Sequence, residues 1–310
     1  MVIFLLKRFG FMLLTMFAVS VILFLVLEIN VDTLASRVLG QFTTEEQRRL
    51  WLEEHGYLRP IWVRYGEWIG DMLRGDFGWS TRFNEPVAEI LWPRLVNTAI
   101  LGVCVFAVMV PLSLVSGILA GMREGSATDR SITFVSVLTT SVPEFASAVL
   151  LSSVFVFALG WLPGTSGMTD GWDWRQMVLP VMVLTLYGFG YVARMMRASM
   201  AEVMQSPYIR TAVLKGLPYR RVILRHALRN ALIAPFTVII LQINWLLSGV
   251  IVVEFFFSYK GYGALLLEAS LNTDIDVIQA CALIAVVVAV GTQTLADIGY
   301  TYLNPRIRFT

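Results

Sequence analysis

An all-α polytopic membrane protein with six transmembrane helices and cytoplasmic N- and C-termini is the fold class this sequence predicts. Composition is the first observation behind it. Of 310 residues, 57% are hydrophobic and 15% charged, and mean hydropathy is +0.70, whereas soluble domains run at about 45–50% apolar and 25% charged. The second observation is a series of six apolar segments, with a long polar stretch after the first. The third is the placement of basic residues, gathered on the side that holds both termini and the loop between the fourth and fifth segments; short loops rich in Lys and Arg stay cytoplasmic. The net charge of +2 says less than this distribution.

The first span, Phe9–Leu27, follows Lys7 and Arg8 and is uncharged. Its apolar run exceeds the roughly 7–15 residues of a signal-peptide core, and no small-x-small cleavage site follows it. It reads as an N-terminal transmembrane helix within residues 1–29. Residues 30–94 turn soluble in composition, with acids and bases interleaved and Trp51, Trp62, Trp68, Trp79 and Trp92 among them. A segment longer than about 60 residues does not vote on topology, so the flanking spans place this one outside. Residues 44–55, with Thr43 or Thr44 as cap, and residues 61–73 are expected as amphipathic helices. The tryptophans read as interfacial anchors or as ligand contacts.

Residues 95–303 carry the other five spans. The second, 95–122, contains Pro111 and the pair Gly117 and Gly121, whose spacing permits close helix packing. The third, 131–162, is too long for one straight crossing and is expected to break near Pro143. The fourth covers about 177–193, the fifth about 231–253 and the sixth about 277–295. Asp170, Asp173, Asp274 and Asp276 fall in loops expected outside, and residues 304–310 form a cytoplasmic tail. Within the fifth span, Gln242, Asn244 and Ser248 are mid-membrane polar groups. They either line a pathway or hydrogen-bond between helices.

Residues 200–232, between the fourth and fifth spans, carry the densest basic cluster: Arg210, Lys215, Arg220, Arg221, Arg225 and Arg229, with Arg194 and Arg197 just before. Ser206 as N-cap, Pro207 at the first helical position and Gly216 as a left-handed terminator predict a short helix over 207–215. Tyr208, Ile209, Ala212 and Val213 give it one apolar face, while Arg210, Thr211 and Lys215 lie elsewhere. Such a helix across the ends of membrane helices is a knob that needs a socket.

No Walker A sequence and no HExxH occurs, and the two histidines, His55 and His226, are far apart. Cys104 and Cys281 lie inside apolar spans, which argues against a disulfide framework or a metal cluster. No catalytic residues, metal site or nucleic-acid partner are expected, and the chain is not expected to act as an enzyme by itself. Energy for any transport must come from a partner chain. Two other classes stand beside a transport subunit. A secondary active transporter should show inverted repeats and ionisable groups at mid-depth, and an intramembrane enzyme needs a nucleophile and base in reach.

Arg210-Thr211-Ala212, Lys215-Gly216-Leu217 and the run from Arg225 through Ala231 resemble the EAA loop of ABC importer permeases. They are most similar to the B-type permease subunit of the dipeptide, oligopeptide and nickel importers. RPIWVRY at 59–65, RGDFGWS at 74–80, and Val253-Glu254 with Phe257 and Gly261-Tyr262-Gly263 are also similar to that family. The family's Pro-Gly-Asp-Pro after helix one is replaced here by Ile29-Asn30-Val31-Asp32, and Asn304 stands where the family commonly has Asp. The resemblance implies a type I ABC importer permease fold, with residues 30–94 as a periplasmic insertion, in a bacterial or archaeal inner membrane. It implies that Tyr208, Ile209, Arg210, Thr211, Ala212, Lys215 and Gly216 form the coupling helix. Partners implied are a homologous C-type permease forming a heterodimer, two cytoplasmic ATPase subunits that bind ATP and Mg, and a periplasmic or lipid-anchored solute-binding protein, all in membrane lipid. The cargo implied is a peptide, nickel, an opine, glutathione or an oligosaccharide, with no cofactor on this chain.

Overall fold

A computed structural model describes residues 2–28, 35–36, 39–40, 43–168 and 171–303. The Ile29 to Asp32 stretch, Asp170 and the 304–310 tail lie outside the described residues, as do the side chains of Ser248 and Asp297. The chain order is α1 (Val2–Glu28), α2 (Glu45–Glu54), α3 (Ile61–Arg74), α4 (Val87–Met122), α5 (Ala127–Ser141) and α6 (Glu144–Ser152) with a π turn at Ser153–Ala158. It continues with α7 (Trp174–Met204), α8 (Pro207–Leu214), α9 (Tyr219–Arg221), a second π turn (Val222–Ala227) and α10 (Leu228–Ala231). The last three are α11 (Ile233–Phe256), α12 (Tyr262–Asn272) and α13 (Ile275–Leu303). Phe9–Leu27, Val87–Met122, Trp174–Met204 and Ile275–Ala296 are each long and apolar enough to cross a membrane. Two bent pairs bring the number to six if each is one span.

Those bends are sharper than the sequence suggests, and each has a local cause. Between α5 and α6 the axis turns by 102°. Val142 (ψ 122°) and Pro143 (ψ 148°) are both extended, because proline drives the residue before it out of the helical region. In the last turn before the break, the hydroxyls of Thr139, Thr140 and Ser141 donate back to the carbonyls of Ser136 and Val137. The second bend, 51°, falls at Leu232. Restarting the helix at Ile233 puts Pro235 in a first turn, where its missing N–H is not needed. The regular helices also run past the apolar segments. α4 begins at Val87 rather than Leu95, and α7 continues to Met204.

The chain divides into two compact units, Met1–Pro93 with Glu268–Val290, and Arg94–Leu267 with Gly291–Thr310. In the first, α3 lies on α1: Ser20 and Tyr65 hydroxyls are 2.8 Å apart, and Phe24 meets Tyr65 and Trp68 with centroids at 5.5 and 5.4 Å. Thr44, not Thr43, caps α2, and forms a capping box with Gln47. Trp68 therefore packs inward, while Trp62 and Trp92 are exposed. After α3, the turn that carries Trp79 and Ser80 is tied to the start of α13. Trp79 N donates to Asp276 Oδ2 at 3.1 Å, and Ser80 Oγ donates to Asp274 Oδ2 at 2.5 Å.

In the second unit α7 is central. Of its most apolar window 61% is buried, against 11% for α1. Close approach explains its glycine contacts. A Cβ on Gly117 of α4 would lie 2.6 Å from the Ala193 carbonyl oxygen, and one on Gly121 2.6 Å from that of Arg197, so the small pair does serve helix packing. Arg197 makes a two-pronged pair with Asp129 of α5, at 3.0 and 2.8 Å. Glu254 is fully buried and accepts from Thr98 Oγ1 (2.5 Å) and Ala264 N (2.9 Å). Gly261 lies directly against that carboxylate, so any side chain there would collide with it. The Glu254, Gly261 and Gly263 signature thus fixes the α11 to α12 turn. Neither Cys104 nor Cys281 forms a disulfide among the described residues, and Cys281 is fully buried.

Candidate functional site

The helix expected after Ser206 forms over Pro207–Leu214, with Lys215 as C-cap and Gly216 at φ +72°. Gly216 N donates to Val213 O and Leu217 N to Ala212 O, which satisfies the helix's last carbonyls. Ser206 has the extended backbone of an N-cap but not its hydrogen bond. Its hydroxyl donates to Val203 O at 2.6 Å, and closes α7 instead of opening α8. The expected single apolar face also divides in two. Ile209 and Ala212 are buried against Met196, Met200, Val222, Ile223 and Ala227, whereas Tyr208 and Val213 are 43% and 50% exposed.

Outward, α8 presents Tyr208, Arg210, Thr211, Val213 and Leu214, the last 80% exposed. Asn230 donates to the Tyr208 hydroxyl at 3.0 Å, and so pins it to α10. Tyr219 and Leu224 extend the apolar exposure. Around this patch Arg210, Lys215, Arg220, Arg221, Arg225 and Arg229 are exposed, and none of them forms an ion pair among the described residues. An apolar patch rimmed by unpaired charge is the form of a protein-docking surface. Leu214 and Tyr219 are the members of this patch that sequence reasoning misses, since only their exposure distinguishes them from core residues.

A cavity of about 500 Å³ opens between α5, α7 and α11. Thr140, Arg194 and Gln242 give it polar lining, and Tyr187 and Trp245 stack beside it with centroids 4.4 Å apart. Arg194 is held by Gly190 O (3.1 Å) and Thr140 Oγ1 (3.3 Å). Gln242 is nine-tenths buried, and its amide nitrogen has no hydrogen-bond partner among the described residues. Asn244 is exposed, two residues on and hence on another side of α11, so it does not line this cavity with Gln242.

A helical chain with several membrane-length apolar helices, a polar cavity among them and an exposed basic helix in one loop is a multi-pass membrane permease. The chain belongs to the family of binding-protein-dependent transport system inner membrane components, which matches residues 113–309. It is 33% identical over 309 residues to a putative peptide transport system permease protein of Brucella abortus, covering 98% of each chain. It is 33% identical over 273 residues to the oligopeptide transport system permease protein AppB of Bacillus subtilis, 86% of each. The same identity holds over 296 residues, 95% of each chain, with the glutathione transport system permease protein GsiC of Escherichia coli.

Proposed function

We propose that this chain is the B-type permease subunit of an ABC importer for peptides, pairing with a homologous C-type subunit across the translocation pathway. The observation that carries the reading is α8, held by Ile209 and Ala212 and presenting Tyr208, Val213 and Leu214 outward. In this reading α8 is the coupling helix, with Arg210, Thr211, Lys215 and Gly216 in its rim. It docks on a cytoplasmic ATPase that binds ATP and Mg, and a solute-binding protein delivers cargo to the other face. Each bent pair is one span, which gives six spans with both termini inside and residues 30–94 outside. Closure of the ATPases then moves the bundle because their contacts with α8 differ between states.

The cavity supports a carboxylate-bearing cargo, with Arg194 as its cation, Gln242 as a further donor and the Tyr187 and Trp245 rings as walls. Peptide is the cargo common to the names of several relatives. Uptake of labelled peptide into proteoliposomes holding the co-purified complex tests the reading. ATP-dependent accumulation is expected, together with its loss in Gly216→Val, whose β-branched side chain strains a left-handed position although the space there is open. Accumulation driven by an ion gradient without ATP would instead make the chain a secondary transporter.

A further inference from the structure

The first unit holds a second cavity, of about 320 Å³. One wall is aromatic. Trp51 stacks on His55 with centroids 4.2 Å apart and on Tyr57 at 5.5 Å, and Trp79 stands in the lining with them. Asp274 and Asp276 face the same space, and among the described residues no Lys or Arg lines it. His55 directs Nδ1 to the Trp51 carbonyl oxygen at 2.9 Å.

The two carboxylates are only partly used by the protein. Asp276 Oδ2 accepts from Trp79 N, and Asp274 Oδ2 accepts from Ser80 Oγ and Arg82 N. Asp274 is fully buried, yet its Oδ1 has no partner among the described residues. The Arg82 guanidinium reaches Glu268, at 3.4 Å, and that of Arg64 lies over the Tyr57 ring, 4.9 Å from its centroid. The negative charge is felt locally: burial, and then Asp276, push the Tyr57 hydroxyl up to about 12. A buried carboxylate oxygen with no donor is costly, so a turn built only for structure would have placed one beside it.

We infer that this cavity is a binding site for an organic cation, an ammonium or guanidinium group held between the stacked aromatic wall and the Asp274 and Asp276 carboxylates. Ring faces attract such cations, most strongly where water is excluded, and a carboxylate beside them supplies charge-assisted hydrogen bonds. The volume is at the low end for ligand sites, which suits one side-chain head or a terminal amine. Two sources present that group: a small cationic solute, or a Lys or Arg displayed by a docked protein. The direction of approach, from outside, rests on the topology proposed above; binding itself does not.

The test is calorimetric titration of the intact chain in lipid nanodiscs with Nα-acetylarginine amide and with Nα-acetylcitrulline amide, whose urea is the uncharged isostere of the guanidinium. Saturable binding of the acetylarginine amide is expected, with the isostere at least about tenfold weaker. Asp276→Asn should weaken the acetylarginine amide by a similar factor. Thr81→Lys sits on an exposed lining position, keeps the turn's hydrogen bonds and supplies a tethered ammonium, so it should abolish binding and holds the test even where Asp276→Asn fails to fold. Equal affinity for the two amides, no saturable binding, or undiminished binding by Thr81→Lys overturns the inference. Transport of the amide by the assembled complex would assign the cation to a solute, and displacement of the solute-binding protein by the amide would assign it to a docked protein. Both support the site, and neither depends on ATP-driven peptide uptake.

Discussion

The α8 loop and the turn at Ser80 are both short polar structures between apolar helices, and they are put together in opposite ways. Tyr208 is fixed by Asn230, 22 residues away, within one continuous stretch. Ser80 and Trp79 are fixed by Asp274 and Asp276, 194 and 197 residues away. The first is local grammar, a proline, a glycine and helical spacing, and its outward face carries exposed apolar and basic side chains. The second is a long-range closure that leaves a carboxylate oxygen unsatisfied inside a cavity.

That difference separates energetic from functional sensitivity, and substitutions sharpen it. The largest loss of stability is expected at another long-range contact, the Asp129 and Arg197 pair. Arg197→Ala strands a buried carboxylate, which costs about 3–5 kcal/mol in such pairs, and should show as a large fall in thermal midpoint in detergent. Next is Gly261→Ala, whose methyl collides with the Glu254 carboxylate; overpacking of this kind costs about 1–3 kcal/mol, read by the same melt. Ser80→Ala removes a donor from buried Asp274 and an acceptor from Phe83 N. It should cost a comparable or somewhat smaller amount, about 1–3 kcal/mol. If Ser80→Ala were neutral, the turn would not depend on Asp274, and the contrast with α8 would fail.

Sequence reading reached α8 because everything that makes it is near in the chain. It reached the Gly117 and Gly121 contact for the same reason, since the spacing of small residues is itself the signal. It underestimated the bend at Pro143, because a proline announces a break and the angle is set by two extended residues in succession. It expected Ser206 Oγ to accept a capping bond from an N–H of α8, whereas the hydroxyl donates to Val203 O at the end of α7. It grouped Gln242 with Asn244 by composition, whereas helical geometry sends them to different sides. The roles of RGDFGWS and of Asp274 and Asp276 were each visible as segments, yet nothing in either announces the other. Such pairings are legible only once the chain is folded.

The smallest effect on stability and the largest on function are expected together at Leu214, 80% exposed on α8. Replacing it should change stability by no more than about 0.5 kcal/mol, because so little of its surface is covered by the described residues. The most direct test of the coupling assignment is therefore ATP-driven peptide uptake by proteoliposomes carrying Leu214→Glu in the co-purified complex. The account predicts an unchanged melting temperature with uptake lost. Wild-type uptake by a Leu214→Glu complex would contradict the claim that α8 meets the ATPase through this face.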